Sequence, residues 1–176
     1  MPDRVGITIE PIREDHVEGF REALDTVARE KKYLIFTEAP AVEQMLAFVR
    51  SNIAAGHPHM VAIEGGHAEG RGEGRVVGWC DIRAKERAVQ SHVGVLGMGI
   101  VPGYRDRGIG RLLITAALDA ARAKGLHRVE LDAHGDNLRA IALYEKVGFV
   151  HEGVARDAVK LDGRFVDSVK MGLIFG

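Results

Sequence analysis

Across residues 7–13 apolar and polar side chains alternate, the period of a half-buried strand. The period then lengthens: Val17, Phe20, Leu24 and Val27 recur at helical spacing, and Asp15 with Glu18 stand where a capping box would open that helix. A second helical stripe follows Pro40, with Val42, Met45, Leu46, Val49 and Ile53 on one face and Gly56 and Pro58 closing it. Residues 60–63 and 76–82 read as neighbouring strands. The glycine-rich run 65–74 joins them as a long hairpin loop, to which no chemistry is assigned because no Gly-Lys-Ser/Thr and no helix follow. Residues 92–101 form a further strand. The strongest helix spans 108–124, where Ile109, Leu112, Leu113, Ala116, Ala117, Ala120 and Ala121 build an apolar face that ends at Gly125. A strand at 129–133 follows, then a helix capped by Asn137 and stopped by Gly148, then a strand at 149–155. A hairpin turns at Asp162-Gly163 into a last strand at 165–175. The order β α α β β β α β α β β predicts one α/β (α+β) domain over residues 1–176. Its mixed sheet is antiparallel where hairpins join strands and parallel around the strongest helix.

Composition narrows the function. A chain of 176 residues, 46% hydrophobic and 28% charged, builds a core without disulfides or a structural metal. With 24 Lys+Arg against 25 Asp+Glu, it has no global field for nucleic acid or an anionic membrane, so neither partner is expected. Cys80 is the single cysteine, no apolar run approaches a membrane span, and residues 1–6 carry no apolar stretch of a secretory signal, so a cytoplasmic location is expected. His57, His59 and His67 lack a Cys or carboxylate at ligand spacing, and no metal is expected.

Candidate chemistry concentrates in residues 98–111, where a strand runs through a short loop, with glycines at 108 and 110, into the strongest helix. Unpaired backbone N–H groups then converge at the positive end of a helix dipole, and the glycines admit an anion close to the main chain. Arg105, Arg107 and Arg111 add charge, and a diphosphate suits such a turn. An alternative stays open, in which the glycines serve helix–sheet packing and the arginines form a solvated rim. Neither the triphosphate nor the dinucleotide spacing is present.

Arg105-x-x-Gly108-x-Gly110 after a strand, followed by Asn137-x-x-Ala140-x-x-Leu143-Tyr144-x-Lys146-x-Gly148-Phe149, resembles the GNAT superfamily of N-acetyltransferases. The resemblance covers the chain from about Val76 onward. It implies a GNAT-like, mostly antiparallel sheet of six to seven strands flanked by about four helices, with strands 4 and 5 splayed at a bulge. Acetyl-CoA is the implied cofactor. Its pyrophosphate would lie at Arg105, Asp106, Arg107, Gly108, Ile109, Gly110 and Arg111, and its pantetheine along Met98, Gly99 and Ile100, with Gly97 and Gly99 easing close approach. The Met98 N–H would hold the thioester carbonyl and the oxyanion formed from it. Asn137 would cap its helix and bond the pantetheine, Ala140 would leave room, Lys146 would reach the phosphates, and Tyr144 would protonate the departing thiolate.

The base is open among His92, preferred as the head of the splayed strand, then Glu38, and also His134. Cys80, in an apolar strand beside Trp79, reads as an inert buried thiol. The resemblance leaves the acceptor unfixed: a primary amine of a small molecule or an amino acid is expected. A protein N-terminus or lysine, or a CoA-binding domain without catalysis, are the alternatives. Carboxylates such as Glu38, Asp157 and Asp167 suit a cationic amine, and edge pairing at the terminal hairpin leads to the expectation of a homodimer.

Overall fold

A computed structural model describes residues 6–65 and 74–176. Its strands and helices run in the order β1 (Ile7–Pro11), α1 (Val17–Ala28), α2 (Val42–Ala54), β2 (His59–Glu64), β3 (Arg75–Ala84), β4 (Val93–Ile100), α3 (Ile109–Ala123), β5 (Arg128–His134), α4 (Leu138–Lys146), β6 (Val150–Leu161) and β7 (Arg164–Ile174). This is the element order expected from the periodicity. Most of the glycine-rich run, 66–73, lies outside the described residues.

The strands form one sheet in the order β1-β2-β3-β4-β5-β7-β6, antiparallel except for the β4–β5 pair. Helices α1 and α2 cover one face, where Phe20 meets Trp79 edge-on with centroids 5.6 Å apart and stacks on Phe48. Helix α3 covers the other face. Its buried stripe of Leu113, Ile114, Ala117 and Ala121 is small enough to lie close to the strands, and Leu113 Cδ1 stands 3.1 Å from where a Gly78 side chain would begin. Helix α4 packs beside it. Left-handed glycines end the helices, Gly125 at φ 89° and Gly148 at φ 105°. Asp162 and Gly163, at φ 47° and 81°, make the β6–β7 turn with the sign a two-residue hairpin requires.

Two local readings are corrected. No Asp15–Glu18 capping box forms: a 3-10 turn at Glu14–His16 precedes α1. There the Arg13 N–H donates to His16 Nδ1 at 3.1 Å, and the Asp15 carboxylate accepts from the Arg13 guanidinium. In α2 the buried stripe is Met45, Val49 and Asn52, whereas Val42 and Ile53 remain 40% and 47% exposed. Asn52 is inside because its amide donates to His59 Nδ1 at 3.1 Å. Burial in turn pushes the His59 imidazole down to about 3, so the ring is neutral.

Candidate active site

The sheet opens between β4 and β5. The two strands pair at Val93 with Arg128, Gly94 with Val129 and Val95 with Glu130, and no further. The expected bulge is not seen in the β3–β4 ladder, whose register runs unbroken from Gly78 with Ile100 to Ala84 with Gly94. The strands part although each stays in register with its outer neighbour, β4 with β3 and β5 with β7.

Alternation along β4 decides which backbone groups enter the gap. The His92 carbonyl accepts from the Arg128 N–H of β5 at 3.1 Å, while the Val101 N–H donates to the Val77 carbonyl of β3 at 3.0 Å. Even-numbered residues therefore turn their backbone groups toward β5, so those of Met98 and Ile100 face the gap. Those of Gly99 are turned to β3. Gly99 serves packing instead, because a side chain there would collide with the Trp79 indole laid across it.

Beyond β4 the chain builds a cradle of backbone donors. Asp106 at φ 60° and Gly108 at φ 78° coil the loop into the first turn of the 15-residue helix α3, which has no side-chain cap. Among the described residues, no backbone N–H across 105–111 has a hydrogen-bond partner. These donors at a helix N-terminus fit a diphosphate. Gly110 serves packing as well, since its absent side chain would lie 3.1 Å from both Ile100 Cδ1 and Leu143 Cδ2. Beside it Ile109 is buried.

The three arginines of this segment differ. Arg105 is turned inward: its Nε donates to the Ile100 carbonyl at 2.9 Å, its Nη atoms pair with both oxygens of Glu30, and it stacks 4.9 Å over the Tyr33 ring. Its side chain thus ties β4 to the connection between α1 and α2. Arg107 lies 5.2 Å over the Tyr104 ring, and Arg111 shares a cleft of about 250 Å³ between α3 and α4 with Lys146 and Arg122. Asp106 pairs with Arg139 at 3.4 Å, linking the cradle to α4.

From α4, Asn137 caps the helix, its Oδ1 accepting from the Ala140 N–H at 3.3 Å. Tyr144 is buried, and its hydroxyl has no hydrogen-bond partner among the described residues. Burial, together with the nearby Cys80 thiol, pushes the phenol well above its usual range, so it is protonated. Cys80, directly across from Met98, is itself pushed far up by burial and is no nucleophile.

A model of the acetyltransferase (GNAT) family matches residues 14–149. The chain belongs to that family. A mycothiol acetyltransferase of Beutenbergia cavernae is 54% identical over 52 residues, 30% of this chain and 18% of that protein. The N-alpha-acetyltransferase RimI of Mycobacterium tuberculosis is 33% identical over 111 residues, 63% of this chain and 64% of that protein. This chain thus spans less than two thirds of these curated relatives. A GNAT superfamily phosphinothricin acetyltransferase from Sinorhizobium meliloti, solved in complex with AcCoA, superposes with a TM-score of 0.87 at 19% identity. The match covers 98% of this chain and 90% of that one, and speaks for the fold.

Within this GNAT fold the three base candidates are scattered. His92 precedes β4 at its paired end, exposed and about 20 Å along the strand from Met98, so the geometry does not bring it to the gap. Glu38 is 72% exposed and sits 3.8 Å from Arg29 at the end of α1. Only His134 reaches the open end, at the last residue of β5. Its Nδ1 is 2.7 Å from the Lys32 carbonyl, an acceptor, so Nδ1 carries the proton, and the buried Nε2 has no partner.

Residues 30–33 form a strap over the mouth of the gap. Glu30 and Tyr33 hold Arg105 beside β4, Lys32 holds His134 on β5, and Lys31 pairs with Asp162 of the β6–β7 turn at 3.1 Å. Sequence reasoning missed Glu30 and also Asp81, the one carboxylate within the apolar run of β3. That break in an apolar strand was the signal available. Among the described residues no group of three His, Cys, Asp or Glu is placed to hold a metal, and no helix is long and apolar enough to cross a membrane.

Proposed function

We propose that this GNAT protein transfers the acetyl group of acetyl-CoA directly to a primary amine of a small molecule or amino acid. The observation that carries the reading is the run of unpaired N–H groups across 105–111, adjoining a β4 edge that β5 leaves free. Acetyl-CoA supplies the activated thioester. The cradle, with Arg107 and Arg111, holds the diphosphate, and Lys146 adds positive charge along the α3–α4 cleft. The exposed edge of β4 offers the backbone groups of Met98 and the Ile100 N–H to the pantetheine, as a missing strand would. The Met98 N–H is then the donor to the thioester oxygen as charge develops on it. Tyr144, kept protonated by burial, is the proton donor to the leaving sulfur.

The strap at 30–33 narrows the acceptor side and favours a small amine over a peptide. RimI is named for N-alpha acetylation, and an Escherichia coli relative, 29% identical over 103 residues, is named an L-amino acid N-acetyltransferase. A homodimer is part of this reading, through the edge strand β6 with its exposed Val150 and Val154. The test is thiol release from acetyl-CoA with a panel of amino acids, polyamines and short peptides. Turnover with free amines supports the assignment, whereas turnover with peptides alone moves the acceptor to proteins. No release with any acceptor contradicts it.

A further inference from the structure

Asp81 stands apart from the other carboxylates near the gap. It lies between Cys80 and Ile82 in β3, a strand that is otherwise largely buried. Register sets it opposite His59 of β2 and Gly97 of β4, so it rises on the face covered by α1 and α2, away from α3. There it leans over Gly97. A side chain begun on Gly97 would meet Asp81 Oδ1 at 3.6 Å and no other described atom within 4 Å. Strand β4 thus carries an open slot, walled by a carboxylate, one residue from Met98.

Among the described residues this carboxylate has no ion pair and no hydrogen bond to another side chain. The charge acting on it is Arg83, two residues along the same face and 5.0 Å over the Phe48 ring. His59, on its other flank, is neutral, and Gly97 contributes no side chain. Burial pushes the Asp81 carboxyl up to about 7, where a proton acceptor works best at neutral pH. Leaving a half-buried carboxylate unpaired is unfavourable for folding and is a mark of functional use.

Resting on the acetyltransferase reading above, we propose that the slot over Gly97 receives the acceptor ammonium and that Asp81 takes its proton. The ammonium gives one proton to the Asp81 carboxylate. The freed amine forms a C–N bond to the acetyl carbon as the C–S bond breaks. The sulfur takes a proton from Tyr144, which regains one from the attacking nitrogen, and Asp81 returns its own to water. The sum is ammonium plus thioester giving amide, thiol and one proton. The acceptor class is therefore an aliphatic amine, cationic at neutral pH, whereas an aromatic amine is neutral there and does not need Asp81.

The experiment compares wild type, Asp81→Asn and Asp132→Asn with an aliphatic and an aromatic amine across pH, with acetyl-CoA affinity measured alongside. Asp132 is the exposed carboxylate on β5, opposite Lys170. In Asp81→Asn, kcat/KM for the aliphatic amine is expected to fall about a hundredfold at pH 7 and to recover as pH nears the amine's own pKa. Acetyl-CoA affinity stays within about twofold. A second variant, Gly97→Val, fills the slot and raises the amine KM about tenfold. Turnover of Asp81→Asn within about threefold of wild type, or loss in Asp132→Asn instead, overturns the proposal alone. Wild type that acetylates no amine overturns it together with the acetyltransferase reading.

Discussion

The two halves of β4 carry opposite solutions to the same problem. At the closed half, where β5 is paired, Glu130 is buried but ringed by cations: Lys85 at 2.5 Å, Arg128 at 3.3 Å and Lys170 at 3.7 Å, with Arg128 also bound to Glu152. Burial alone would raise the Glu130 carboxyl, yet those partners hold it below the usual range. At the open half Asp81 has no such partners, and burial raises it to about 7. The backbone follows the same division, satisfied on both sides below Val95 and facing the gap unpaired at Met98. Polar groups are neutralised where the fold is held together and left available where a substrate would complete them.

Substitutions should therefore separate by half. The largest effect is expected from Tyr144→Phe, which lowers kcat about a hundredfold without shifting acetyl-CoA affinity. Loss of a phenol that has no hydrogen-bond partner costs little stability, so melting temperature should hold. An unchanged kcat would remove Tyr144 from the chemistry. At the closed half Glu130→Gln should behave conversely, destabilising by about 2 kcal/mol in urea unfolding because Lys85 and Arg128 lose their shared anion. Cofactor affinity should be unaffected, and a stability equal to wild type would show the network to be incidental.

The pH dependence of stability sharpens the comparison. With its folded pKa raised to about 7 from 3.8, Asp81 binds its proton more tightly when folded, so its contribution falls as pH rises from about 4 to about 7. His59, lowered to about 3 from 6.5, acts oppositely, its contribution being full above about 6.5 and lost as pH falls toward 3. The difference between wild type and Asp81→Asn cancels the His59 part. The variant should gain in melting temperature from pH 4 to 7, by about 10 °C, and hold that gain above. A flat difference would place Asp81 in an ordinary solvated state. The smallest effect belongs to Lys31→Ala, whose exposed pair with Asp162 is worth no more than about 0.5 kcal/mol. It should alter the amine KM more than the stability.

The order of strands and helices was legible because the apolar period changes cleanly between elements and Gly125, Gly148 and Asp162-Gly163 mark their ends. The cradle was legible for a similar reason, since unpaired N–H groups and left-handed glycines are local properties of one short segment. What escaped depends on contacts distant in sequence. The partners of Arg105, Glu30 and Tyr33, come from the α1–α2 connection, and the indole laid across Gly99 is that of Trp79 in β3. The burial of Asn52 follows from His59, which an apolar count passes over. His92 was misplaced because periodicity does not say which end of β4 its neighbour leaves.

The proposed seat of acetyl-CoA is the run of unpaired N–H groups across 105–111. Calorimetric titration of acetyl-CoA into wild type and Gly108→Glu tests it most directly, since the variant sets a carboxylate and a strained left-handed residue in the cradle. Binding by wild type that weakens about a hundredfold or more in a folded variant is the predicted result. Absence of binding by wild type, or equal binding by both, would contradict it.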